Sequence, residues 1–183
     1  GEEKCKWLKE IGKFDFAIDY KSQDIGRELD RICPEGIDVY FDNVGGPITD
    51  EVLLRINQKA RVVLCGAISQ YNQKVEEMYG LQNYLSLVIN RARAEGFIIL
   101  DYLDRALEGL LKLTSWVESG NLIQEIDLQY GFENIPSTLL RIFNGDNVGK
   151  QILQLADPPL PIRTNSAEKL IFSIMQKLSG LRG

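Results

Sequence analysis

Apolar residues return along this chain at two different intervals, and the alternation between the intervals lays out its elements. In residues 2–11, Cys5, Leu8 and Ile11 recur at three-residue steps, which is one face of a short helix that Gly12 can close. Phe16-Ala17-Ile18 then reads as a strand ending at Asp19-Tyr20. Ser22 or Asp24 can cap a second helix, whose Ile25, Leu29 and Ile32 share a face before Pro34-Glu35-Gly36 breaks it. A strand is expected over residues 37–41. Pro47 suits the first turn of a third helix carrying Ile48, Val52 and Ile56, and residues 60–65 form another strand of β-branched and small side chains. Helix and strand alternate with short links, which predicts an α/β fold whose parallel sheet is joined by right-handed crossovers.

The rhythm changes after Gly66. Residues 67–80 are polar and carry no clear period, the pattern of a long loop over strand ends, and such loops often carry function. A helix over residues 81–89 and a strand over 96–100 follow. Asp104 can cap a long helix with Leu107, Leu110, Leu111 and Val117 facing the core and Gly120 at its end. Residues 122–129 alternate like a strand, and residues 134–143 form a helix with Pro136 in its first turn and Gly145 after its last. Residues 149–155 are the final strand. Pro158-Pro159-Leu160-Pro161 makes a stiff linker, and Ser166 caps an amphipathic helix with Leu170, Ile171, Ile174, Met175 and Leu178 on one side.

One stretch organises the rest. Ile37-Asp38-Val39-Tyr40-Phe41 suits a buried strand, stops at Asp42-Asn43, and turns through Gly45-Gly46-Pro47 into a helix. Open α/β sheets bind ligands in the crevice beyond the carboxyl ends of their strands, which puts Asn43 within reach of a ligand. A polar strand end with a glycine turn is the plainer reading of the same ten residues.

Composition narrows the chemistry. Across 183 residues, 44% hydrophobic and 26% charged residues describe an ordinary globular chain, and a net charge of -5 with no Lys/Arg cluster gives no footprint for nucleic acid or an anionic membrane. No apolar run approaches the roughly 20 residues that span a bilayer. Cys5, Cys33 and Cys65 are odd in number and widely spaced, as reduced thiols of a cytoplasmic protein are. Histidine is absent, which removes Ser-His and Cys-His nucleophiles and the commonest ligand of transition metals, so chemistry here falls to a bound cofactor.

Five stretches together resemble the zinc-free branch of the medium-chain dehydrogenases/reductases, the group of prostaglandin reductases, curcumin reductases and alkenal double-bond reductases. They are Glu3-Lys4-Cys5, the run from Gly36 to Gly46, the run from Cys65 to Asn72, Glu95-Gly96-Phe97, and Asn147-Val148-Gly149-Lys150. The resemblance implies NADPH, no metal, and reduction of the C=C bond of an α,β-unsaturated ketone or aldehyde. It implies a Rossmann-like doubly wound parallel sheet over residues 1–120, a closing segment of the substrate domain over 121–156, and a linker and tail over 157–183. The matching region is the carboxyl-terminal part of the family. The first strand and glycine-rich turn lie before it, and no Gly-x-Gly-x-x-Gly precedes a helix in this chain.

The same resemblance assigns roles. Lys4 and Tyr20 would stand by the 2′-phosphate, where a cation and a phenol stabilise a dianion. Asn43 would bond the cofactor as it passes the strand ends, and Asn147 would reach its phosphates or carboxamide. Cys65, Gly66, Ala67, Ile68, Ser69, Gln70 and Tyr71 would line the nicotinamide side, and Phe97, Ile98 and Ile99 would flank the ring. Tyr71 is the candidate catalytic residue, since hydride addition to an enone leaves an enolate oxygen that needs a donor. A homodimer is expected, because open sheet edges need cover. The reading from a different class is a non-catalytic interaction module acting through sheet edges and the amphipathic tail. Helix–strand alternation alone would also admit a methyltransferase or another nucleotide-binding protein.

Overall fold

The computed structural model describes residues 1–156, and the linker and tail helix expected beyond Ala156 lie outside them. Packing divides the chain into two units, Gly1–Leu103 and the residues from Asp104 on.

The first unit starts with helix α1, Glu2–Glu10, closed by Gly12, whose N–H returns to the carbonyl of Trp7 at 3.0 Å. Helix α2, Ile25–Ile32, is capped by Asp24, which accepts from the Arg27 N–H at 2.8 Å. Strand β1 is Ile37–Asp42, helix α3 is Pro47–Leu53, strand β2 is Ile56–Leu64, helix α4 is Leu85–Ile89 and strand β3 is Arg93–Gly96. The three strands form a parallel sheet in the order β1-β2-β3. Its core is Leu29 of α2, Val52 and Leu53 of α3, and Ile56, Ala60 and Val62 of β2. Leu53 is 1% exposed, a burial that stabilises the unit by about 1.5–3 kcal/mol. The α2–α3 approach is close at Gly26, where a Cβ would stand 2.6 Å from the Glu51 carboxylate.

Several expected boundaries move. Ile56, read as the last apolar residue of the third helix, instead opens β2 opposite Ile37 and joins the core. Pairing resumes at Val39 opposite Arg61, and the extra residues on β2 are taken up where Lys59 adopts φ 67° and donates to the Asn90 carbonyl at 2.8 Å. Phe16-Ala17-Ile18 is not a sheet strand, because among the described residues it has no neighbouring strand to bond with. The strand expected over 96–100 lies earlier, at β3, and ends at Gly96 because β2 ends at its partner Leu64. A kinked 3₁₀ segment, Ile99–Arg105, then follows.

In the second unit, helix α5 is Ala106–Glu118, strand β4 is Ile126–Tyr130, helix α6 is Ile135–Asn144 and strand β5 is Lys150–Gln154. The N-cap of α5 is Arg105 rather than Asp104, and no residue of the helix is buried, so its leucines do not face a core among the described residues. Strands β4 and β5 pair in parallel, and α6 between them ends on Gly145 in the left-handed conformation, φ 73°. Arg141 of α6 joins both strands, donating to Asp127 at 2.6 Å and to Gln151 at 3.1 Å.

Candidate functional site

Three strand tips meet at one end of the first unit's sheet. Asp42 pairs with Leu64, Leu64 pairs with Gly96, and the Phe97 N–H donates to the Leu64 carbonyl at 3.2 Å. Asn43, Cys65 and Phe97 therefore each follow the last rung of their own strand, side by side along the carboxyl edge.

Backbone bonds lace the two chains that leave this edge. The N–H groups of Cys65 and Gly66 donate to the Asp42 carbonyl at 2.8 and 3.1 Å, and the Ile68 N–H donates to the Asn43 carbonyl at 3.1 Å. Ser69 donates to the Val44 carbonyl through its N–H at 3.1 Å and its hydroxyl at 2.6 Å. So close an approach demands glycine. Gly45 and Gly46 have φ 72° and 69°, and a Cβ on Gly45 would lie 3.1 Å from that of Ala67.

Beneath the turn lies Asp42, 2% exposed. It accepts from the Thr49 hydroxyl at 2.6 Å, the N–H groups of Val44 at 2.8 Å and Gly45 at 2.9 Å, and the Tyr40 hydroxyl at 3.0 Å. Burial pushes its carboxyl pKa up, but these donors outweigh burial and hold it below the ordinary value. Tyr40 is pushed up to about 12, chiefly by burial. Sequence reasoning chose Asn43 and passed over Asp42. The signal was present, since an Asp before a glycine turn whose N–H groups it can receive is the Asx-turn pattern.

A cleft of about 620 Å³ opens over the tips. Its walls include Leu64, Cys65, Gly66, Ala67, Gln70, Leu81, Phe97 and Ile98, with Asp42 and Thr49 at its base. Phe97 is fixed by edge contacts to Phe41 and Tyr102, with centroids 6.0 and 5.9 Å away. Its lining contains no lysine or arginine, so it suits an uncharged planar ring better than a phosphate.

The structure thus gathers Cys65, Gly66, Ala67, Gln70, Phe97 and Ile98 around one space, with Ile68, Ser69 and Ile99 beside it in the chain. Tyr71 is 67% exposed, yet its phenol oxygen accepts from the Ala67 N–H at 3.2 Å, which returns the hydroxyl to the cleft's rim. Asn43 is exposed at the β1 tip. Lys4 and Tyr20 lie elsewhere in the unit, next in sequence to residues of a second cleft of about 700 Å³ lined by Glu2, Cys5, Lys6, Lys9, Asp19 and Arg31 among others. Asn147 belongs to the second unit, where its amide donates to the Gly149 carbonyl at 3.0 Å. Among the described residues no group of three or more His, Cys, Asp or Glu is placed to hold a metal ion, and no helix is long and apolar enough to cross a membrane.

Comparison with known proteins gives a consistent set. The family described as zinc-binding dehydrogenase matches residues 1–116. The Bacillus subtilis protein YfmJ is 45% identical over 159 residues, 86% of this chain and 47% of its own length. A 2-alkenal reductase (NADP(+)-dependent) of Nicotiana tabacum is 37% identical over 85% of this chain and 45% of its own. Among solved structures, CurA of Vibrio vulnificus in complex with NADPH superposes with a TM-score of 0.78 at 38% identity, over 86% of this chain and 48% of that one. The chain spans about half the length of the curated relatives it matches.

Proposed function

Because the chain belongs to the zinc-free branch of the medium-chain dehydrogenases/reductases, within the zinc-binding dehydrogenase family, we propose that it is the carboxyl-terminal portion of an NADPH-dependent reductase of α,β-unsaturated ketones or aldehydes. The observation that supports this most is the convergence of the β1, β2 and β3 tips on an apolar cleft walled by Phe97 and floored by a glycine turn. The relative named a 2-alkenal reductase and the neighbour solved with NADPH support the same reading.

The residues fit the uncharged end of that cofactor. Phe97 and Ile98 would flank the nicotinamide ring, and the backbone of 65–67 would take its opposite side, where glycine at 66 keeps the approach open. Asn43 would bond the cofactor beyond the β1 tip. Lys4 and Tyr20 would meet the 2′-phosphate, outside the cleft whose lining holds no lysine or arginine, and Asn147 would serve its phosphates or carboxamide. NADPH, when bound, supplies the hydride that adds to the β-carbon of the enone.

The chain's own part is then electrostatic. Negative charge grows on the carbonyl oxygen as the C=C bond is lost, and Tyr71 donates its hydroxyl proton in a hydrogen bond to that oxygen. The Ala67 N–H already occupies the phenol oxygen as a donor, so the phenol proton is left for the substrate. The assay is loss of nicotinamide absorbance with an enone and NADPH, with product analysis for the saturated ketone. Reduction of the carbonyl to an allylic alcohol instead would overturn the assignment.

A second reading has its own observation. Strand β1 bonds only β2 among the described residues, and Val39 and Phe41 are 53% and 54% exposed, an edge that suits an interaction module or a homodimer. Light scattering decides between assemblies, and a monomer at all concentrations removes the dimer. A cytoplasmic location belongs to the same proposal, and fractionation of the producing cells tests it.

A further inference from the structure

Residues 71–83 form the long arm that runs from the rim of the cleft to α4, and only Tyr79 and Asn83 of this arm are half buried. Apart from local turn bonds from the Gln73 N–H to the Gln70 carbonyl and from the Ser86 N–H to the Asn83 carbonyl, the hydrogen bonds among the described residues that tie 72–83 to the unit converge on one residue, Asp50 of α3. Its carboxylate, on a residue 4% exposed, accepts from the Tyr79 hydroxyl at 2.7 Å, the Gln82 N–H at 3.1 Å and the Asn83 N–H at 2.9 Å. The Asn83 side chain returns the contact, donating to the Asp50 carbonyl at 3.2 Å. These partners straddle Leu81, which contributes an apolar wall to the cleft.

The neighbouring helix position makes the arrangement specific. Thr49 donates to Asp42 at the tip of β1, and Asp50, one residue on and about 100° around the helix, holds the arm. Successive residues of α3 thus fix the base of the cleft and its far wall. The proposed hydride and proton transfers call on neither Asp50 nor its partners.

We propose that Asp50 is a positioning residue that latches the 79–83 arm so that Leu81 sets the width of the substrate end of the cleft, making the Asp50–Leu81 pair a determinant of which enones are accepted. This rests on the reductase reading for the substrate but not for the latch. Asp50→Asn removes the carboxylate's charge and one of its two acceptor oxygens, the one that serves both the Tyr79 hydroxyl and the Gln82 N–H, so it weakens the hold on the arm with almost no change in size.

The test uses the full-length protein and two readouts. In hydrogen exchange, Asp50→Asn raises exchange at Gln82 and Asn83 about tenfold, and Tyr79→Phe raises it by less. In competition between a short and a bulky enone, Leu81→Ala and Asp50→Asn each shift the ratio of kcat/KM toward the bulky one, by about threefold or more. The double variant shifts no further than Leu81→Ala alone. A merely structural role would lower activity on both substrates alike and leave the ratio unmoved. Unchanged exchange in Asp50→Asn, or in Tyr79→Phe should the first variant fail to fold, overturns the latch. Faster exchange with an unmoved ratio overturns the assignment of selectivity. A parent protein that reduces no enone defeats the reductase reading, and the exchange arm still decides the latch.

Discussion

The phenol oxygen of Tyr71 accepts a hydrogen bond from the backbone N–H of Ala67 at 3.2 Å, and it does so across Gly66, where a Cβ would come within 2.8 Å of that oxygen. Tyrosine and glycine are therefore one unit, the second making room for the first. Removing the hydroxyl by Tyr71→Phe should lower kcat by about 10²-fold, the scale for loss of one donor to a developing oxyanion, with NADPH affinity nearly unchanged. Steady-state kinetics beside a cofactor titration checks this, and unchanged turnover removes Tyr71 from the mechanism.

Gly66→Ala tests the same relationship from the other side. The added methyl displaces the Tyr71 hydroxyl and breaks its bond to Ala67, so turnover falls in the parent. In the Tyr71→Phe background there is no hydroxyl to displace, and the substitution should cost much less. A double-mutant cycle on kcat reads the difference.

Stability of the first unit should hinge on the α3–β2 core. Leu53→Ala removes a side chain that is 1% exposed and should cost about 2–5 kcal/mol, measured by denaturant unfolding. Val39→Thr, at a position 53% exposed on β1, should change stability by less than about 0.5 kcal/mol.

Acid should loosen the second unit in a defined window. The Asp127 carboxyl is lowered from 3.8 to about 2, by its hydrogen bond with Gln129 first and that from Arg141 next. A carboxyl that titrates lower folded than unfolded adds stability that is complete above its unfolded pKa and is lost as pH falls through the folded one. The gap in Tm between the parent and Asp127→Asn should therefore be widest above about pH 4 and close between 3.8 and about 2. A gap that stays constant through that range would contradict the role of Asp127.

Local signals were legible in the chain and tertiary ones were not. The Asp24 cap, Pro47 at a helix start and Gly145 at a helix end are each written within a few residues, and each stands where expected. Ile56 fits the helical spacing of Ile48 and Val52, but its partner Ile37 across the sheet decides its state. Strand β3 was expected three residues too late, over 96–100, because Arg93-Ala94-Glu95 is polar and exposed, with no apolar period to mark it. At the site, the glycine turn and the polar strand tip announced themselves. The latch did not, since Asp50 finds its partners 29 to 33 residues away and nothing near it in sequence names them.

In the proposed reading Asn43, Cys65 and Phe97, at three adjacent strand tips, face one NADPH molecule. Nicotinamide fluorescence during titration of the protein with NADPH tests it most directly. Saturation is expected in the micromolar range, weakened at least tenfold by Phe97→Ala and unaffected by Val39→Thr. No change in fluorescence up to millimolar NADPH, or saturation that is indifferent to Phe97, would contradict it.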